Sequence, residues 1–190
     1  MSGGVLVVLA GTSGAGKGTI GRRMRDLYPA LRWSVSWTTR PPRPGEVEGV
    51  DYHFVSRAEF ERLRDSDGFL ESFEVYGDLK GTPRQFVVDA LASGHDVLLE
   101  LDVYGALAAR KALPEALLVF VRAPSSVEQR RRIEERGADG PEAVERRLAR
   151  AEAEEAIADE QFDAVIVNDD VGRAVSELAA IVEERRSGSR

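Results

Sequence analysis

Val5-Leu6-Val7-Val8-Leu9-Ala10-Gly11-Thr12-Ser13-Gly14-Ala15-Gly16-Lys17-Gly18-Thr19 decides the fold. The valine-rich apolar run reads as a buried parallel strand and Ile20 to Tyr28 as a helix, so the glycines fall at a strand-to-helix turn. Glycines at 11, 14 and 16 allow positive φ and bring bare N–H groups close to anionic oxygens. The helix N-terminus adds partial positive charge, and Lys17 reaches the outer phosphates. Gly11, Ser13, Gly14, Ala15, Gly16, Lys17, Gly18 and Thr19 are therefore expected to cradle a nucleotide polyphosphate. The common pattern places Ser or Thr directly after the lysine as a magnesium ligand. Here Gly18 stands there and the hydroxyl comes at Thr19, which argues against direct ligation of the metal by the loop. A glycine-rich turn with a surface lysine is the plainer alternative, but it leaves the flanking strand and helix without a reason.

A chain of 190 residues with 43% hydrophobic content is long enough to bury one substantial core. The net charge of -7 excludes general affinity for nucleic acid or anionic membranes, so phosphate recognition must come from local arginine clusters. Without cysteine there are no disulfides and no thiolate zinc sites. The N-terminus lacks a signal-peptide pattern, and no run approaches membrane-spanning length, so a soluble cytoplasmic protein is expected. His53 and His95 have no ligand partners at short spacing and read as incidental.

Further along, Trp33 to Trp37 reads as one short strand leading into a loop, Thr38-Thr39-Arg40-Pro41-Pro42-Arg43-Pro44-Gly45-Glu46. Tyr52 to Val55, a helix near Arg57 to Arg64 capped by Ser56, and an alternating strand from Phe69 to Tyr76 form a small β-rich block. A helix from Pro83 to Ala92 precedes Asp96 to Asp102, a buried strand with carboxylates at its C-terminal end, and Ala116 to Arg122 is another strand. Strands alternating with helices predict a parallel sheet with right-handed crossovers. Helices at Ser125 to Arg136 and Pro141 to Asp159, hinged at Gly137-Ala138-Asp139-Gly140, suit a lid. Ala164 to Val167 is a last strand, with Asn168-Asp169-Asp170 capping the final helix.

Three arginine clusters fall on exposed segments: Arg40 and Arg43; Arg130 to Arg132 with Arg136; and Arg146, Arg147 and Arg150. Arg132 and Arg136 share one helix face and suit a polyphosphate; the alternative is a solvated face neutralised by Glu128 or Glu135. The Arg40 loop has only Glu46 and Glu48 nearby, which favours phosphate binding there.

The series Ser34-Val35-Ser36-Trp37-Thr38-Thr39-Arg40, then Pro42-Arg43-Pro44-Gly45-Glu46-Val47, Gly49-Val50-Asp51-Tyr52 and Phe54, closely resembles the monophosphate-binding signature of guanylate kinases. The resemblance continues in order through Phe69-Leu70-Glu71, Gly81-Thr82, Leu99-Glu100-Leu101-Asp102, Arg132, Arg136-Gly137, Arg147-Leu148 and Val167-Asn168-Asp169-Asp170. It implies a P-loop kinase fold of the α/β class: a central parallel sheet flanked by helices, a small β-rich GMP-binding insertion and a helical lid. One domain over 1–190 is implied, with its core at about 1–33, 83–124 and 160–190, the insertion at about 34–82 and the lid at about 125–159. The implied reaction moves the γ-phosphoryl group of ATP to GMP, and to dGMP, with Mg2+. The resemblance places the acceptor phosphate on Arg40, Arg43 and Tyr52, and guanine on Ser36, Glu71, Thr82 and Asp102. It places Lys17, Arg132, Arg136 and Arg147 at the transferring phosphoryl group, Asn168 near adenine or as a helix cap, and Thr19 and Glu100 near the metal, mostly through water. A carboxylate suits guanine because N1–H and the 2-amino group are adjacent donors.

This chain departs from the pattern at Lys80, where a second phosphate-binding tyrosine is usual, at Tyr104 for a frequent glutamine, and at Thr12 for a frequent proline. Lys80 can still meet a phosphate as a point charge; neither Tyr104 nor Thr12 is expected to touch the catalytic charges. Two alternatives are a P-loop kinase for a phosphorylated sugar, which has no use for a guanine reader, and a non-catalytic phosphopeptide-binding module of the same family, which has no use for an intact Lys17 loop. Small-molecule substrates are the expected partners, and the residues leave monomer and homo-oligomer equally open.

Overall fold

The computed structural model describes residues 3–75, 77–135 and 140–188. In chain order the elements are β1 (Leu6–Gly11), α1 (Lys17–Leu27), β2 (Arg32–Trp33), β3 (Trp37–Thr38), β4 (His53–Phe54), α2 (Arg57–Asp65), β5 (Phe69–Val75), β6 (Asp78–Pro83) and α3 (Arg84–Ala92). They continue with β7 (Val97–Glu100), α4 (Val103–Ala112), β8 (Leu117–Arg122), α5 (Ser126–Glu135), α6 (Pro141–Gln161), β9 (Ala164–Val167) and α7 (Val171–Gly188).

The main sheet has the order β2-β7-β1-β8-β9, every neighbouring pair parallel, with β1 at the centre. Side-chain alternation along β1 explains its unbroken apolar run. Val5, Val7 and Leu9 join Ile20 and Met24 of α1 and Val175 and Leu178 of α7 in one core. Leu6, Val8 and Ala10 join Val87 of α3 and Val103, Ala106 and Ala109 of α4 in the other. A strand covered on both faces has no polar face to show. This is the P-loop α/β architecture expected from the sequence.

A second sheet, ordered β4-β3-β6-β5, rests on its own core of Phe60, Phe69 and Leu79, with Trp37, Val55 and Leu63 packed against it. Two expectations need correction here. Trp33 to Trp37 is not one strand: Arg32–Trp33 pairs with β7 in the main sheet, while Trp37–Thr38 pairs with β4 and β6 in the second, so residues 34–36 carry the chain between sheets. The other correction is that the strand β6 and the helix α4 are additional to the elements expected from the sequence. The Ser56 cap is as expected, its Oγ accepting from Glu59 N at 3.2 Å. Of the expected hinge at residues 137–140, residues 137–139 lie outside the described residues and Gly140 is the N-cap of α6. No described helix is long and apolar enough to cross a membrane.

Candidate active site

In the loop between β1 and α1, φ is 83° at Gly14 and 86° at Gly16, whereas Gly11 ends β1 without positive φ, its lack of a side chain serving the close approach of the Val121 carbonyl. Gly16 is forced doubly, since a Cβ there would sit 2.2 Å from Asn168 Nδ2. Asn168 is the loop's clamp: 2% exposed, it donates from Nδ2 to the Ala15 carbonyl at 2.7 Å. The cap of α7 is Asp170, whose Oδ1 accepts from Arg173 N at 2.8 Å, so the capping role expected for Asn168 is corrected. Thr12 Oγ1 accepts from Gln129 Nε2 at 2.8 Å, and the same amide donates to the Ser13 carbonyl at 2.9 Å. Gln129 thus pins α5 to the loop, a role with no signal in a charged helix sequence.

Two arginines, one on α5 and one on α6, turn toward this loop. Arg147 Nη1 donates to Ser13 Oγ at 3.2 Å, and Arg132 Nη2 donates to the Asn168 carbonyl at 3.2 Å. Arg132 also pairs through Nε with Glu128 at 2.8 Å, so the neutralised-face alternative holds for part of its fork. Arg131 and Arg132 hold the Glu128 carboxyl down at about 2. Arg130 pairs with Glu145 at 2.7 Å, joining α5 to α6, and Arg131 pairs with Glu128 and Glu135. Arg136 lies outside the described residues.

Beside the loop opens a cleft of about 400 Å³ at the C-terminal ends of β1 and β7, the place where open α/β sheets bind ligands. Lys17, Glu100 and Asp102 line it from the main sheet; Ser36, Tyr52, Glu71 and Lys80 line it from the segment 34–82. Lys17 Nζ is 3.9 Å from Glu100 Oε1. Lys80 Nζ stands 4.6 Å and the Arg40 guanidinium 5.3 Å from the Tyr52 ring centroid, two cations gathered around one aromatic ring. Arg40 is also forked onto Glu46 by two bonds of 2.8 Å, and Arg43 is exposed, its backbone N donating to Glu46 Oε2 at 2.7 Å. Neither arginine lines the cleft in this structure, nor does Thr82 or the exposed Thr19.

Glu71 is 6% exposed; its Oε1 lies 2.5 Å from Thr82 Oγ1, and Oε2 has no hydrogen-bond partner among the described residues. Burial, chiefly, pushes this carboxyl up to about 8, with the Thr82 bond opposing, Asp102 adding and Lys80 subtracting. Asp102 does two things: Oδ1 accepts from Gly105 N at 2.8 Å as the N-cap of α4, and Oδ2 accepts from Arg150 Nη2 at 3.4 Å. Tyr104 lies under Arg150, which is not among the charges assigned to catalysis. Sequence spacing gave no hint of the Arg150 contact, because 102 and 150 lie on separate elements.

A glycine-rich anion loop with its lysine facing a cleft, and an acidic slot in the opposite wall, define a P-loop phosphotransferase with a site for a small acceptor. The family model described as guanylate kinase matches residues 4–185. The guanylate kinase of Symbiobacterium thermophilum is 52% identical across 94% of this chain and 84% of its own. That of Thermus thermophilus is 51% identical across 97% of this chain and 84% of its own. A solved guanylate kinase structure from Anaplasma phagocytophilum superimposes with a TM-score of 0.79 at 32% identity, covering 97% of this chain and 87% of that one. The chain belongs to the guanylate kinase family, and a role as a GMP kinase follows from that membership.

Proposed function

We propose that the protein transfers the γ-phosphoryl group of ATP to GMP, giving ADP and GDP. It also accepts dGMP, since none of the groups assigned to the acceptor reads a 2′-hydroxyl. The observation that carries this reading is the shared cleft: Lys17 of the anion loop and the buried, half-unpartnered Glu71 line one cavity. Guanine presents N1–H and its 2-amino group to Glu71, with Ser36, Thr82 and Asp102 around the base edge. Adenine offers a bare acceptor to the same oxygens, and a mismatch between buried polar groups gives discrimination of ~10⁴ or more.

Arg40, Arg43, Tyr52 and Lys80 hold the acceptor phosphate, which takes over the part of Arg40 now forked onto Glu46. The loop 11–19 and Asn168 hold ATP. Phosphoryl transfer passes through a loose transition state, so positioning and charge neutralisation supply the rate, and Lys17, Arg132, Arg136 and Arg147 provide that charge. The segments 34–82 and 125–159 act as acceptor insertion and lid, closing to exclude water that would otherwise take the phosphoryl group.

Among the described residues no cluster of three or more carboxylates or histidines exists to hold a cation. Magnesium fits this site as an ion that arrives on the nucleotide, with Glu100 through water and Thr19 as the side chains to meet it. Its chemistry when bound is neutralisation of the β and γ oxygens.

The test is ADP release with GMP, dGMP, AMP, UMP and ribose phosphates, for the wild type and Glu71→Gln. Turnover confined to guanine nucleotides, with the preference for GMP over AMP shrinking at least about tenfold in the variant, supports the reading. Turnover of a sugar phosphate alone, or binding without turnover, overturns it.

A further inference from the structure

Arg150 of α6 is held from three sides. Its Nε donates to Glu154 Oε1 at 2.6 Å, its Nη2 to Asp102 Oδ2 at 3.4 Å, and its guanidinium carbon lies 5.9 Å from the Tyr104 ring centroid. Glu154 is the unusual member, a carboxylate whose side chain is only 7% exposed and which needs a cation beside it. Glu154 is four residues on from Arg150 along α6, while Tyr104 and Asp102 belong to the start of α4, so the guanidinium joins two separate elements. A solvated arginine making one surface pair would contribute little. Arg150 is itself 53% exposed but makes more than one contact, lying over the Tyr104 ring and pairing with a buried carboxylate as well as meeting Asp102.

Asp102 has one oxygen committed to capping α4, which leaves Oδ2 for other donors. An ionised carboxylate oxygen accepts more than one hydrogen bond, so Oδ2 can serve Arg150 and a purine amino group together. We propose that Arg150 is a positioning residue for the acceptor base: from the lid helix it holds Asp102 in place and balances its charge, with Tyr104 and Glu154 holding Arg150 in turn. The proposal rests on the reading of Asp102 as a partner of guanine. It joins α6 to the base slot through a single carboxylate.

The charge balance reaches Glu71. The groups acting on that carboxyl are Thr82, Lys80 and Asp102, and Asp102 in turn meets Arg150 while sharing the cleft with Lys17 and Glu100. Without Arg150 the charge on Asp102 acts on Glu71 undiminished. A packing role for Arg150 would leave the titration of Glu71 alone.

The experiment is steady-state kinetics of Arg150→Ala and Arg150→Lys across pH, each also made in an Asp102→Asn background. Arg150→Ala is expected to raise KM for GMP about threefold to tenfold while kcat and KM for ATP stay within about twofold. It should also move the midpoint of the pH profile of kcat/KM for GMP upward by about half a unit. Arg150→Lys restores the charge but not the stacked fork, so it recovers the midpoint and only part of KM. With Asp102→Asn already present, Arg150→Ala adds nothing. Should Arg150→Ala fold poorly because Glu154 is left bare, Arg150→Ala with Glu154→Gln carries the same expectations. Unchanged KM and midpoint in Arg150→Ala, or an equal effect with and without Asp102, overturns the proposal. A silent Asp102→Asn overturns the reading of Asp102 and the proposal with it, whereas a strong Asp102→Asn beside a silent Arg150→Ala overturns the proposal alone.

Discussion

Glu71 sets burial against function. Its carboxyl is pushed up to about 8 by burial, so in the free protein it is mostly protonated at pH 7, whereas the guanine contact proposed for it calls for the carboxylate. On that proposal, binding GMP expels a proton. The sign follows: kcat/KM for GMP rises with pH toward about 8 at close to one decade per unit, then levels off. Calorimetric titration of GMP at pH 7 in buffers of different protonation enthalpy should report release of about one proton. Release near zero would mean the carboxyl is already charged when empty. For stability the direction is opposite: a folded value above the ordinary 4.5 contributes fully below pH 4.5 and is lost as pH climbs through about 8, in the absence of ligand.

At the scale of elements, the second sheet depends on very little apolar material, and Phe60 is the centre of it. Phe60 is 0% exposed and stacks on Phe69 with ring centroids 4.3 Å apart. Phe60→Ala should cost about 3–5 kcal/mol, lowering Tm and raising amide exchange in β3, β5 and β6 before β1 or β8. Uniform loss of protection across both sheets would show that the small core is not a separate cooperative unit. The same sheet shows why parts of the fold were hidden in the sequence. β6, Asp-Leu-Lys-Gly-Thr-Pro, is poor in strand formers, and its Gly81 is there because a Cβ would meet the Phe69 ring at 2.9 Å and the Glu71 carbonyl at 3.0 Å. Pairing to β3 on one side and β5 on the other makes it a strand. The start of α4 is legible in principle from Asp102 followed by an alanine-rich stretch, a capping carboxylate that the family resemblance places at the base instead. Lys17 is legible from the spacing of its loop and Glu71 through the family resemblance, and both line the cleft, whereas Arg40 and Arg43 do not line it here. Arg150 and Gln129 are not legible, because their partners are brought near only by folding.

For the whole molecule, the two substrates are served by different amounts of structure. The anion loop springs from the main sheet and is held by Asn168 and Gln129, while the cleft proposed for the acceptor takes walls from both sheets. Where the second sheet leans on α4, Gly105 leaves room for Phe73 of β5; a Cβ there would lie 3.0 Å from the Phe73 ring and 3.3 Å from Asp102 Oδ1. Gly105→Val should therefore wedge β5 away from α4 and disturb the cap at Asp102, raising KM for GMP about tenfold or more, since small displacements of a positioned group are costly. KM for ATP should stay within about twofold, because the clamps from Asn168 and Gln129 lie away from that joint and the loop meets it indirectly, through α6, which carries both Arg147 and Arg150. Equal rises for both substrates in steady-state kinetics would show that strain crosses from the second sheet to the anion loop. The acceptor site could then no longer be treated as a separable attachment to the P-loop core.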